Sequence, residues 1–262
     1  MIKTTIGIAL SGGGARAAAH IGVLQALNDH GIFPTHVSGT SGGAVIGALY
    51  CTGYAPIEIL ELTKTASFLH IFKLGLGFKS IRDMSRLKEF LYYHIKYDFE
   101  ELQTPLFLSA TNLDSGLNEI MSEGKLLPAV MASCAIPLIF KPFNFNGNTY
   151  VDGGILNNLP VDVLKEKCQF VFGSNVSGLE KGKKVNSRLE IAHRCLQLAI
   201  RTNVEPRLKM CDHAIEIQDA FHFGIFDIQK TQELFDIGYT ATVNEMEAIK
   251  LKIAAKGLFL NY

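Results

Sequence analysis

Residues 6–16 read IGIALSGGGAR, and residues 35–43 read THVSGTSGG. Each is a short extended run broken by glycine and followed at once by a helical pattern. Ile6 to Leu10 is continuously apolar, as a strand buried on both faces of a parallel sheet is. Ala15 to Asn28 then places Ala17, Ile21 and Leu24 on one helical face, and Asp29-His30-Gly31 supplies a C-terminal stop. Thr35 to Gly39 reads as a second strand, which delivers Ser41 onto a helix over Gly42 to Cys51 that Gly53 ends. Glycine and alanine lower helix propensity in that helix, so their use is close packing on a sheet and room beside the serine.

The chemistry of the two turns differs. Gly12-Gly13-Gly14 has no side chains to shield its backbone N–H groups, which can converge on negative charge where a helix begins. A Walker-type phosphate loop is excluded because no Gly-Lys-Ser/Thr follows, and the dinucleotide fingerprint lacks its third glycine. An oxyanion hole built from Gly12, Gly13 and Gly14 fits better. Gly39-Thr40-Ser41-Gly42-Gly43 has the G-x-S-x-G pattern of a nucleophile elbow, a sharp strand-to-helix turn that presents a serine. Arg16 falls in the first helical turn, where the dipole disfavours a cation unless it has another task. Bracing the loop, meeting a substrate phosphate and pairing with a surface carboxylate all remain open for it. Asp152, at the end of the extended segment Thr149-Tyr150-Val151 and before Gly153-Gly154, reads from residue type alone as a turn aspartate.

The chain has 262 residues, long enough for one sizeable α/β domain, here read as spanning 1–262. Lys+Arg and Asp+Glu are equal at 25 each, which argues against a nucleic-acid binder. Five widely spaced cysteines without a C-x-x-C pair suggest free thiols in a reducing compartment, and the N-terminus has no signal-peptide pattern. A cytoplasmic protein is expected on these grounds. Mean hydropathy is +0.19. The most apolar stretch, Leu126 to Phe140, is shorter than the ~20 residues of a spanning helix and is interrupted by Pro128 and Pro137.

Residues 55–96 look like an insertion or lid. Their aromatic stretch, Phe68 to Phe78, suits an acyl channel, peripheral contact with a membrane surface in which Lys73 and Lys79 meet headgroups, or core packing. Beyond it the pattern predicts a strand over Leu106 to Thr111, a hairpin partner at Glu119 to Met121 and a helix over Leu126 to Ser133. A helix over Pro160 to Lys167 and a strand over Phe170 to Ser174 follow. The alternation continues to Ile215-Glu216-Ile217, and a mostly helical end, Lys230 to Ala254, has Thr231 as its N-cap. The predicted architecture is a three-layer α/β/α domain with a mainly parallel central sheet, the serine and glycine loop lying at the carboxyl ends of neighbouring strands.

Four ordered blocks, SGGGAR (Ser11 to Arg16), GTSGG (Gly39 to Gly43), ASCAIP (Ala132 to Pro137) and DGGILNNLP (Asp152 to Pro160), resemble the patatin-like phospholipases, specifically bacterial single-domain members. The resemblance covers most of the first 175 residues. It implies a Ser-Asp dyad, with Ser41 as nucleophile and Asp152 as the base, and hydrolysis of carboxylic esters of phospholipids or lysophospholipids without metal or other cofactor. Family members usually have glycine where this chain has Ala17, and commonly alanine where Gly42 stands. Chain order alone also permits a triad in which His213 or His222 follows Ser41 and Asp152. A regulatory protein that keeps the fold and binds an acyl ligand or protein partner without turnover is the alternative from another class, and oligomeric state is not legible.

Overall fold

The computed structural model describes residues 4–71, 84–178 and 185–258. The first layer follows the expected order: β1 (Ile6–Leu10), α1 (Ala18–Asp29), β2 (His36–Gly39) and α2 (Gly42–Thr52), with a 3-10 turn at Gly14–Ala17 before α1. Residues 55–96 contain three helices, α3 (Pro56–Lys64), α4 (Ala66–Ile71) and α5 (Ser85–His94). Ile59, Leu60, Leu87 and Leu91 from these helices are buried in the main core, and Phe68 packs edge-on against Phe90 at 5.2 Å between centroids. The stretch from residue 72 onward, with Lys73 and Lys79, lies outside the described residues.

β3 (Leu106–Asn112) and β4 (Leu117–Met121) form the predicted hairpin, followed by α6 (Leu126–Ser133), β5 (Phe143–Phe145), β6 (Asn148–Asp152), α7 (Asp162–Lys165) and β7 (Phe170–Asn175). α7 is a single turn, shorter than the expected 160–167, and the Pro160 carbonyl before it accepts from the Ser38 hydroxyl at 2.7 Å. The chain ends with α8 (Arg188–Met210), β8 (His213–Glu216), α9 (Thr231–Asn244) and α10 (Met246–Ala255). Thr231 is not the N-cap of α9. Lys230 takes that position at the end of a short 3-10 turn, and Thr231 is buried as the first helical residue. α8 begins at a capping box, Ser187 accepting from the Glu190 N–H while Glu190 accepts from the Ser187 N–H.

Among the described residues, eight strands make one sheet in the order β5-β6-β3-β2-β1-β7-β8, with β4 paired on β3. The β3-β2-β1-β7-β8 portion is parallel, β4 and β6 pair antiparallel with β3, and β5 pairs antiparallel with β6 at the edge. β1 is buried throughout, which explains its unbroken apolar run. Ile8, Leu10 and Phe172 share one core with α1, α2 and α9, whereas Ala9 and Val171 face Leu164 of α7 and Val204 of α8. The sheet is thus covered on both faces, the three-layer arrangement predicted from the sequence. Connections leave β1 toward β2 on one side and arrive at β7 on the other, so a crevice opens at the carboxyl ends of β1 and β7, the usual ligand position in such sheets.

Candidate active site

Ser41 occupies the elbow between β2 and α2 with φ 54° and ψ −122°, a conformation strongly disfavoured for a residue with a Cβ. Its surroundings fix it from several sides. The Ser41 N–H donates to the Ser133 hydroxyl at 2.9 Å, and the Cys134 thiol donates to the Ser41 carbonyl at 3.3 Å. Burial pushes the Cys134 thiol well above the usual range, so it stays protonated and able to donate. One residue earlier, the Thr40 hydroxyl donates to the Asn157 carbonyl at 2.9 Å. The ASCAIP block, which carried no individual role in the sequence, therefore includes the residues that hold the elbow.

Asp152 closes β6, whose antiparallel register on β3 places it opposite Ala110. Its N–H donates to the Ala135 carbonyl at 2.9 Å, and its Oδ1 accepts from the Gly154 N–H at 2.8 Å. Ser41 lines the same cleft and favours the ionised form of this carboxylate. Burial raises the Asp152 pKa to about 6, against the opposing effects of Ser41 and Gly154. An aspartate in this environment is a better proton acceptor than one in water.

At the end of β1, the three glycines are not equivalent. The Gly12 N–H donates to the Asn158 carbonyl at 3.1 Å, and the Asn158 side-chain amide donates to the Gly12 carbonyl at 3.3 Å. That pairing removes Gly12 from the set of free donors that the triplet suggested. The Gly13 and Gly14 N–H groups have no acceptor among the described residues. Gly14 has φ +60°, and a Cβ there would run into the Ile225 carbonyl, so glycine is required twice over. That carbonyl accepts the Ala15 N–H at 2.9 Å. Arg16 extends the same clamp: its Nε donates to the Phe223 carbonyl at 2.8 Å and its Nη1 to the Gly178 carbonyl at 3.1 Å. Of the roles open to Arg16, bracing the loop is the one these contacts describe.

Two supports had no sequence signal. Asn203 of α8 accepts from the Asn158 N–H at 2.9 Å and donates through Nδ2 to the Gly154 and Ile155 carbonyls at 2.9 and 3.2 Å. One side chain thereby ties the glycine loop's partner to the turn after Asp152. Below them, His20 is fully buried between the Ser11 carbonyl (Nε2, 2.9 Å) and the Ser174 hydroxyl (Nδ1, 2.7 Å). The carbonyl can only accept, so Nε2 carries the proton and Nδ1 accepts from Ser174. Burial lowers the His20 pKa to about 4, keeping it neutral as it pins the ends of β1 and β7 together.

Ser41, Asp152 and the glycines open into a cleft of about 660 Å³ whose far wall is α8, including His193 and Gln197. Neither His213 nor His222 lines it. His213 lies on β8 with its Nε2 2.6 Å from Glu245, and burial lowers its pKa. His222 ends a 3-10 turn at Gln218–His222. His193 is the histidine that sequence order did not single out.

A parallel α/β sheet with a serine elbow on one strand and a glycine loop on its neighbour places the protein among the serine-elbow α/β folds. The profile of the patatin-like phospholipases matches residues 8–165, and the chain belongs to that family, a family of lipid acyl hydrolases. Among curated relatives, the lysophospholipase NTE1 of Kluyveromyces lactis is 28% identical over 89% of this chain and 18% of its own length. That of Yarrowia lipolytica is 31% identical over 69% of this chain and 13% of its own. The chain thus spans less than a fifth of either relative. Among solved structures, VipD from Legionella pneumophila shares the fold, with a TM-score of 0.52 at 15% identity over 89% of this chain and 67% of that one. No helix among the described residues is long and apolar enough to cross a membrane.

Proposed function

We propose that this protein hydrolyses the carboxylic esters of phospholipids or lysophospholipids through Ser41 and Asp152. The observation that carries this reading is one cleft lined by Ser41, held in its elbow conformation, and by the buried carboxylate of Asp152, beside two N–H groups without acceptors among the described residues. Ser41 Oγ attacks the ester carbonyl as its proton passes to Asp152. The Gly13 and Gly14 N–H groups stabilise the oxyanion, and collapse of the tetrahedral intermediate releases the alcohol, which takes the proton back. Water then repeats the sequence on the acyl-enzyme. The lipid substrate follows from the family and from relatives named as lysophospholipases, and contact with a membrane surface follows from the substrate.

Fluorophosphonate labelling together with fatty-acid release from a lysophospholipid tests the reading. Wild type should label, Ser41→Ala should not, and Asp152→Asn should lose about 10⁴-fold in kcat. Because the base acts in its ionised form, kcat/KM should rise with pH along a limb centred near pH 6. Unlabelled wild-type protein sinks the hydrolase reading. A loss of the pH limb in folded His193→Ala, with Asp152→Asn still active, would move the base to His193.

A further inference from the structure

Ser41 stands between two hollows. The first is the cleft that holds Asp152. The second, also about 660 Å³, opens on the other side of Ser41 against the start of α2. Gly14, Ser41, Ile136 and Ile225 line both. The wall between them is anchored: the Ile225 carbonyl takes the Ala15 N–H, the Phe223 carbonyl takes Arg16 Nε, and the Gly224 N–H donates to Asp227 at 2.7 Å.

Their chemistry differs. The first hollow has apolar walls at Ile155, Leu196 and Ile200, but Asp152, Arg16, Asn158, His193 and Gln197 also give it ionisable and polar groups. The second is walled by Val45, Ile46, Phe68, Leu87, Phe140 and Phe226, and no Asp, Glu, Lys, Arg or His is among its described lining residues. Cys134, which also faces it, is held as a neutral thiol by burial. An apolar chain gains by entering such a space, and a charged headgroup would lose its hydration there without a partner.

The geometry points to a fixed orientation of the ester, with one unbranched acyl chain in the second hollow and the alcohol portion in the cleft with Asp152. This assignment rests on the hydrolase reading above. In acylation the Ser41 Oγ–carbon bond forms and the carbon–oxygen bond to the alcohol breaks. The proton taken from Ser41 by Asp152 is returned to the departing oxygen. That oxygen must therefore leave on the side of Asp152, which lines the first hollow and not the second. With the oxyanion at Gly13 and Gly14, the remaining substituent of the carbonyl carbon, the acyl chain, is directed across Ser41 toward Val45 and Phe68.

The test uses the full chain and two substrate series: p-nitrophenyl esters from C4 to C16, and a lysophospholipid against the p-nitrophenyl ester of the same acid. For wild type, kcat/KM should climb about fourfold per methylene until the hollow is filled. Val45→Phe should cut the C12-to-C4 ratio at least tenfold. Phe68→Ala should move the optimum to longer chains, and it decides the matter if Val45→Phe does not fold. Gln197→Phe should change the lysophospholipid-to-p-nitrophenyl ratio at least fivefold with the chain-length optimum in its wild-type position. Wild-type chain-length profiles in Val45→Phe and Phe68→Ala, or a shortened optimum in Gln197→Phe, would overturn the orientation. Fluorophosphonate labelling separates the two levels: labelled protein with those profiles refutes the orientation alone, whereas unlabelled wild type refutes the hydrolase reading beneath it.

Discussion

At the end of β2 the backbone of Ser41 is paired at both its N–H and its carbonyl, whereas one strand away, at the end of β1, Gly13 and Gly14 keep N–H groups without an acceptor among the described residues. The two turns are neighbours in the sheet, Leu10 lying opposite Gly39. A strained nucleophile persists when its surroundings over-determine it, so the elbow is saturated with bonds. An anion site needs donors left open toward the cleft, so the glycine loop is unsaturated and is instead held from behind by Asn158, Ile225 and Arg16.

Closing the open side of this pair should give the largest effect. Gly14→Ala places a methyl against the Ile225 carbonyl at φ +60°, and should lower kcat by about 10²–10³-fold, the usual loss for an oxyanion donor. Steady-state kinetics on a folded variant checks this, and unchanged kcat would take Gly14 out of the site. Next is a stability effect of opposite sense to activity. Asp152 binds its proton more tightly in the folded protein than in the unfolded chain, so its contribution to stability is present at acid pH and is lost as pH rises through about 6. Asp152→Asn removes that penalty. At pH 8 its Tm should exceed wild type by about 6 °C, from ~3 kcal/mol at ~2 °C per kcal/mol, and the gap should close near pH 4.

A smaller effect tests how the two turns fit together. A Cβ on Gly42 would lie 2.7 Å from the Ala17 Cβ and 2.6 Å from the Gly14 carbonyl. The two departures from the family pattern, at Ala17 and Gly42, are thus one methyl group moved across a single contact. Gly42→Ala should destabilise, and Ala17→Gly should recover part of the loss, with a coupling of about 1–2 kcal/mol in a denaturant double-mutant cycle. Additive losses would break the link. The elbow's strain gives the smallest shift: Ser41→Gly should be more stable than Ser41→Ala by about 1 kcal/mol, despite glycine's greater unfolded-state entropy. Equal stability would mean that the elbow stores no strain.

The sheet core was legible because a strand buried on both faces is mostly apolar, as β1 is throughout and β7 is over its first half, Phe170 to Phe172. The elbow and glycine loop were legible because their backbone geometry admits few residue types. Other parts depend on partners far along the chain. Gly12 loses its free N–H to a carbonyl 146 residues away, and Asn203 clasps two loops from a helix with no motif around it. The start of α8 did have a local signal, Ser187 three residues before Glu190, but its function comes from what it packs against. His193 reaches the cleft through the placement of that helix, which no spacing in the sequence encodes.

The imidazole of His20 beneath the two turns has a consequence for how the protein meets acid. Its proton is held less tightly in the folded protein than in the unfolded chain, so protonation of the unfolded state costs stability as pH falls from about 6.5 to about 4. Over nearly the same interval Asp152 takes up its proton preferentially in the folded state. The two slopes have opposite signs and similar size. Acidification can therefore silence the carboxylate while the contributions of these two groups to fold stability oppose one another.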